Sequence, residues 1–407
     1  MSDPVTPRHT GHTAGLMRSI YLPRTADALA FAMCTYGIPL LVLATTRSAA
    51  LTGAAFALEW MPRLAAVGWA GSVVDRRGAS VVFHLASTGR ALALAAGAVL
   101  LHLHPSGPVA SASVMVLAAT TGVLTQFSYI AAETAGAGAA RRAHRVQAVL
   151  LGIDQTATLA GPALAGVLLL AGPPPMLAVI TLLSLLAALL ALHTPPSPVV
   201  PAGAPKGRTG AGLRTGWRTI RSLPALGWLV AGLTLSNLAT GLFQAAGPVI
   251  VVHEFGQSTT AVGLVWSAAA AATLLAVTVC RYALDRVGLW PVGAACAVLA
   301  SLACLAAAQA PGYPSFLLLV AVLMAADGGL AVVLRTLRSR LIPPAAFGST
   351  LSATILILLL PFPVAGVLTA ITPPDALDDV ITACAALQAL GLLCAFARLR
   401  TDPALRA

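Results

Sequence analysis

The chain has 407 residues, of which 58% are hydrophobic and only 9% charged, with a formal net charge of +11. Soluble domains carry roughly 25% charged residues, so a fully water-facing surface is excluded and most of the exterior must meet something apolar. The positive excess does not imply a nucleic-acid partner, because the arginines sit in short clusters between apolar runs, as loops of a membrane protein do.

A helix crossing about 30 Å of hydrocarbon needs about 20 mostly apolar residues. Cutting the chain at Pro, Gly and charge clusters gives twelve such runs. The N-terminal six lie at 24–44, 49–73, 80–102, 109–132, 146–170 and 175–193. The C-terminal six lie at 226–250, 259–280, 289–309, 315–337, 349–371 and 379–398. Backbone groups in lipid must be satisfied within the segment, so runs this long are helices. The first run is long enough to span, and no cleavable signal peptide is expected. The six cysteines (Cys34, Cys280, Cys296, Cys304, Cys384 and Cys394) fall in or beside apolar runs without metal spacing. Neither a disulfide framework nor a metal or other cofactor is expected. The pair His102 and His104 makes too few ligands for a metal site.

Orientation follows from the bias of Arg and Lys. With the N-terminus in the cytoplasm, 21 of the 24 positive residues fall in inside segments, Arg24 among them, and both termini come out cytoplasmic. Arg47 alone lies in an outside loop, while Arg63 and Arg90 lie within helices. The longest non-apolar stretch begins Thr194-Pro195-Pro196 and turns Gly-rich and basic. It reads as a cytoplasmic linker over 194–225 between halves 1–193 and 226–407, and such linkers need no fold of their own.

An internal repeat supports the division. At an offset of 210, Gly37, Ser48 and Gly53 fall on Gly247, Ser258 and Gly263, and Asp75-Arg76 and Gly78 fall on Asp285-Arg286 and Gly288. Asp27 falls opposite Asn237. At an offset of 200, Ala165-Gly166-Val167-Leu168 repeats as Ala365-Gly366-Val367-Leu368. Two parallel halves with a midplane binding site between them are a transporter architecture.

The loop after the second run reads Gly71-Ser72-Val73-Val74-Asp75-Arg76-Arg77-Gly78. It resembles the signature loop of the major facilitator superfamily, G-x-x-x-D-R-x-G-R-R, and departs from it at Ala79-Ser80. The resemblance covers nearly the whole chain and implies an all-α membrane protein of twelve transmembrane helices in two six-helix halves. It also implies a conformational latch of Gly71, Asp75, Arg76 and Gly78, with Asp285 and Arg286 as the second copy. Gly161-Pro162-Ala163-Leu164-Ala165-Gly166 resembles the Gly-Pro-x-x-Gly-Gly segment of the antiporter branch, with Ala165 in place of a glycine. There Gly161, Pro162 and Gly166 would pack the fifth helix against the other half. Ser48 to Asp75 and Arg335 to Gly348 resemble the branch of macrolide and siderophore exporters.

Ionisable groups within the hydrocarbon are costly and are usually paired or functional. Asp27, Glu59, Arg63, Arg90, Asp154 and Asp327 fall there, and Glu133 at the cytoplasmic interface. Arg63 and Arg90 each lie ten residues from the cytoplasmic ends of their runs, about 15 Å deep, on antiparallel neighbours. Glu59 is one turn from Arg63, so a Glu59–Arg63–Arg90 cluster is expected. The superfamily fold implies that Arg90, on a peripheral helix, is a structural ion partner, and that Arg63 is the better cavity candidate. Three acids against two bases leave one carboxylate unpaired, and such a group takes up a proton rather than stay ionised in a dry site. Asp27 is the first choice for that role and Asp154 the second. Asn237 and Gln244 share a face of the seventh run. With Glu59, Arg63, Gln126, Tyr129 and Asp327 they make the expected substrate cavity.

These residues and the resemblance together point to a proton-coupled antiporter in the inner membrane. It would export a small organic molecule, either a drug-like compound or a secreted metallophore or siderophore. The alternative is an importer of a sugar or organic acid. The expected partners are cargo, protons and the lipid bilayer, with the protein a monomer. No Walker-type loop for ATP and no nucleophile–base spacing is present, so an enzyme is not expected.

Overall fold

The computed structural model describes residues 17–138, 143–192, 209–342, 347–373 and 376–401. All of its regular structure is helical. A π-helical turn, Met17–Tyr21, leads into α1 (Leu22–Thr46), followed by α2 (Ala49–Arg77), α3 (Ala79–Leu103), α4 (Pro108–Gly138), α5 (Ala143–Leu170) and α6 (Pro173–Ala191). Then come α7 (Thr209–Ser222), α8 (Pro224–Val249) with a π turn Ile250–Glu254, α9 (Thr259–Val287) and α10 (Leu289–Ala307). The chain ends in α11 (Tyr313–Leu341), α12 (Phe347–Leu359), α13 (Pro361–Ile371) and α14 (Leu377–Leu399). Among the described residues eleven helical stretches are long and apolar enough to cross a membrane. The 29-residue α2 completes twelve spans; Glu59, Arg63 and its charged last turn make it less apolar than its neighbours.

Each of the twelve expected runs is a helix, with two differences. The run 349–371 is broken at Leu360, between α12 and α13. Pro361 and Pro363 remove two backbone donors there, which frees carbonyls of the preceding turn. The expected linker, in turn, contains a helix, α7. Its residues Gly216 and Ile220 are buried while Arg214, Trp217, Arg218 and Arg221 stay exposed, and it packs along α12 and α8. A breaker-rich composition hid this helix, whose apolar stripe is short but well placed.

The repeat is visible in the backbone. Ser48 and Ser258 are the N-cap residues of α2 and α9, and Ser48 Oγ accepts from the Leu51 amide. Gly78 and Gly288 link α2 to α3 and α9 to α10 with φ of 85° and 94°, values that favour glycine. Each glycine amide closes the last turn before it, on Val74 O and Leu284 O.

Between the halves, α2 packs on α13 and α5 on α9. Small residues set both seams. A Cβ at Gly53 would come within 2.5 Å of the Ala370 amide, and one at Gly366 within 2.6 Å of the Ala57 amide. A Cβ at Gly166 would lie 2.6 Å from Thr259 O, and one at Gly263 would run into Pro162 O. Thr259 Oγ1 donates to Gly166 O at 3.1 Å. These contacts all lie within about two turns of the end of the bundle opposite the termini, here called the far end. At the terminus end a cavity of about 730 Å³ separates Gly152 and Gln155 of α5 from Thr273–Asp285 of α9 and Arg335–Arg340 of α11. The molecule is closed at the far end and open toward the termini.

Candidate functional site

Two polar constellations occupy the N-terminal half. The first is a chain of ion pairs. Arg24 donates through Nη1 to Asp27 at 2.8 Å and through Nη2 to Asp154 at 2.7 Å. Arg90 Nη2 meets the other Asp27 oxygen at 2.7 Å. Arg90 also donates to Ser184 Oγ at 3.0 Å and Ser128 Oγ at 3.5 Å. Asp27 and Arg90 are wholly buried and Arg24 is 3% exposed. The network ties α1 to α3, α4, α5 and α6, and Tyr129 stacks on Arg24 with 5.0 Å between guanidinium carbon and ring centre.

This geometry corrects two expectations. Arg90 does not join Glu59 and Arg63. The three residues are level by count, but side chains lean toward the N-terminus of their helix. Because α2 and α3 are antiparallel, Arg63 leans to the far end and Arg90 to the terminus end, where Asp27 waits. The charge count also changes. Arg24 belongs to the buried set rather than to a cytoplasmic segment, so acids and bases balance three to three. Asp27, held by two guanidiniums, is the most firmly paired carboxylate among the described residues.

The second constellation lies at half-depth on α1, α2 and α4. Glu59, Trp60 and Arg63 fall within one turn near the middle of α2. Gly122 of α4 is where a Cβ would collide with the Glu59 carbonyl, so α4 approaches α2 closely at this point. The Arg63 guanidinium lies between the rings of Trp60 and Phe31, at 4.3 and 4.6 Å from their centres. Its Nε donates to Gln126 Oε1 at 3.2 Å. Glu59 stands beside it, yet no ion pair joins the two, unlike the pairs that Arg24 and Arg90 make. Glu59 Oε2, Trp60 Nε1, Arg63 Nη1 and Thr35 Oγ1 are buried without a hydrogen-bond partner. Buried polar atoms are nearly always satisfied, so such a group is a functional signal. Trp60 stacks on Phe362 of α13 at 4.4 Å, which places this set beside the seam between the halves.

In the C-terminal half, Asp327 accepts from Ser236 Oγ at 2.7 Å and Thr240 Oγ1 at 3.0 Å, and Gln388 Nε2 donates to Ser236 at 3.0 Å. Asp327 thus faces hydroxyls of α8 and carries no cationic partner among the described residues. Asn237 donates to Leu358 O at 2.7 Å, in the last turn before the break at Leu360. Gln244 is half-buried on the same helix.

Of the expected antiporter segment, Pro162 and Gly166 meet α9 of the other half, while Gly161 packs on Ala32 of α1 in its own half. Of the latch, Gly71 has open space at its Cβ, since the bundle parts at this end. Arg76 and Arg286 are exposed, and Asp285 borders the terminus-end cavity. The side chain of Asp75 lies outside the described residues.

Searching the curated protein sequences returns no match. Among solved structures, a bacterial homologue of the iron transporter ferroportin in an inward-facing state aligns over 96% of this chain and 100% of its own, with 16% identity and a TM-score of 0.73. A variant of the nucleoside transporter NupG aligns over 92% and 100%, with 15% identity and a TM-score of 0.71. The xylose transporter XylE from E. coli, inward open, aligns over 92% and 94%, with 16% identity and a TM-score of 0.68. The sequence model described as Major Facilitator Superfamily matches residues 25–370. Twelve spans, two glycine-capped repeat loops and this match together place the chain in the major facilitator superfamily of multi-pass membrane transporters.

Proposed function

We propose that this protein is a proton-coupled antiporter that exports a small zwitterionic molecule, with the Glu59–Trp60–Arg63 set as the shared cargo and proton site. One observation carries this reading. Four unpartnered polar atoms, two on opposite charges, are buried together at half-depth. Arg63 Nη1 and Trp60 Nε1 offer donors to an acidic oxygen of the cargo. Glu59 Oε2 and Thr35 Oγ1 offer acceptors to its amine or hydroxyl. Gln126 fixes the guanidinium through Nε, and the rings of Phe31 and Trp60 hold it flat.

The coupling follows from Glu59 and Arg63 being neighbours. Cargo whose acidic group engages Arg63 removes the charge that favours ionised Glu59. Cargo with an amine favours it instead. Only the second case makes cargo and proton compete for Glu59, as exchange requires, so the acid of the cargo orients it on Arg63 while its amine displaces the Glu59 proton, and the coupling is reciprocal. Opening to one side loads cargo as Glu59 loses its proton, and opening to the other exchanges cargo for a proton. Asp154, Gln244 and Asp327 remain parts of the wider proposal: Asp154 as anchor of Arg24, the other two facing the C-terminal side of the path.

Export rests on Gly161-Pro162 and Gly166, the segment that resembles the antiporter branch, with drug-like compounds and metallophores as its cargo classes. Cytoplasmic termini and an inner-membrane location rest on the distribution of arginine. The loops at Gly71–Gly78 and Asp285–Gly288 would latch the terminus end when it closes.

The test uses proteoliposomes with an imposed pH gradient and a panel of labelled zwitterions and organic acids. The parent should build a cargo gradient against the proton gradient. Glu59→Gln should exchange cargo downhill without accumulation, and Arg63→Gln should lose binding. A normal gradient built by Glu59→Gln refutes the coupling assignment. Proton and cargo moving in the same direction would replace export by uptake of a nutrient such as a sugar or organic acid.

A further inference from the structure

The linker helix α7 leaves a groove that neither the transport path nor the halves' packing uses. The groove has a volume of about 560 Å³ and is lined by Trp217, Ile220 and Arg221 of α7, Trp228 and Val230 of α8 and Ile357 of α12, among others. Trp217 and Trp228 are 48% and 42% exposed. Each carries a guanidinium over its ring: Arg221 lies 5.7 Å from the Trp217 centre and Arg398 5.7 Å from the Trp228 centre.

Depth and charge identify the occupant. Trp228 lies about 6 Å inside the start of α8, and Ile357 about 15 Å inside α12. The groove therefore runs from headgroup level into the hydrocarbon, with its aromatic walls at the depth where Trp gathers in membranes. Its mouth is basic. The sequence of α7 contains Arg214, Arg218 and Arg221 and no acid, and Arg398 and Arg400 end α14 nearby. A zwitterionic headgroup would bring a cation against these guanidiniums, whereas an anionic one brings only complementary charge. The floor of Ile220, Val230 and Ile357 suits an acyl chain and offers no polar partner to a soluble anion.

We propose that this groove binds one anionic phospholipid, its phosphate held by Arg221 and Arg218 and one acyl chain lying along Val230 and Ile357. The lipid bridges α7 to α12, the helix whose continuation α13 forms the seam with α2. It thereby fastens the linker to the C-terminal half. This inference rests on the membrane-spanning fold and not on the cargo or coupling proposed above.

Native mass spectrometry of the full-length protein, released from micelles containing equal phosphatidylglycerol and phosphatidylcholine, tests it. One phosphatidylglycerol should survive activation that strips all other lipid. Each arginine near an anionic surface contributes about a five-fold factor in affinity, so Arg218→Gln with Arg221→Gln should lower the retained fraction by about 25-fold. Arg47→Gln, at the far end, should leave it unchanged. A thermal melt checks folding; all three arginines are exposed. As a second variant, Ile357→Trp fills the groove without touching charge and should also expel the lipid. Equal retention of phosphatidylcholine, or a phosphatidylglycerol that persists in both variants, overturns the proposal.

Discussion

Asp27 and Glu59 lie on adjacent helices of one half and are both buried, yet their surroundings assign them opposite roles. Asp27 accepts from Arg24 and Arg90, and neither guanidinium has another carboxylate to replace it apart from Asp154 on Arg24. Removing one partner of a buried pair costs about 3–5 kcal/mol, because the other charge is stranded. Asp27→Asn should therefore lower thermal or denaturant stability in detergent by about that amount, and Arg90→Leu similarly. Glu59→Gln breaks no direct ion pair, and Gln126 and the rings of Trp60 and Phe31 still hold Arg63, so it should cost less stability than Asp27→Asn. The reverse ordering would show that Asp27 is the adaptable group. The sequence made these residues legible as a set but not as a wiring. Arg24 was hidden because it stands two residues inside α1, where an apolar run meets a basic segment, and counting cannot tell a loop arginine from one that turns inward. Arg90 was misassigned because level α-carbons do not imply level side chains on antiparallel helices.

At the scale of elements, twelve helices were readable because lipid permits no other backbone solution for such runs. The parts that were not readable are those where a local breaker has a tertiary partner. The α12–α13 break is one. Pro361 and Pro363 predict a kink, but not that Asn237 of α8 reaches across to the Leu358 carbonyl. That bond places Asn237 in the packing rather than among the free cargo ligands. Asn237→Leu should remove this bond between α8 and α12, costing about 0.5–1.5 kcal/mol of stability. The measurement pairs a thermal melt with cargo affinity. A normal melt with weakened cargo binding would return Asn237 to the cavity. The linker helix is the other case: Gly210, Gly212 and Gly216 read as a spacer, while Gly216 and Ile220, at one-turn spacing, are buried where it packs along α12 and α8.

For the whole molecule, the seam chemistry predicts how the halves move. The close approaches at Gly53–Ala370, Gly366–Ala57, Gly166–Thr259 and Gly263–Pro162 are backbone against backbone, all toward the far end. Side chains can adjust to a new methyl group, but backbone cannot, so each glycine permits the closed far end and little else. Gly166→Leu should then work as a wedge. Overpacking costs about 1–3 kcal/mol, which moves a two-state equilibrium by about 5–150-fold. The helices need not unfold to relieve it, since parting α5 from α9 at that end is the motion that alternating access already requires. The expected result is a folded protein resting with its far end open. Thr35→Cys, in a background with the six native cysteines replaced by alanine, reports this at half-depth, because Thr35 is 6% exposed in the closed form. A membrane-impermeant maleimide added from the far side should label it faster by that same factor when Gly166→Leu is present, while net transport falls. Gly161→Ala is the control. Its clash is with Ala32 of its own half, at 2.5 Å, so it should lower stability without changing the labelling rate. Unchanged labelling together with normal transport in Gly166→Leu would mean that the far-end seam is not the closing surface.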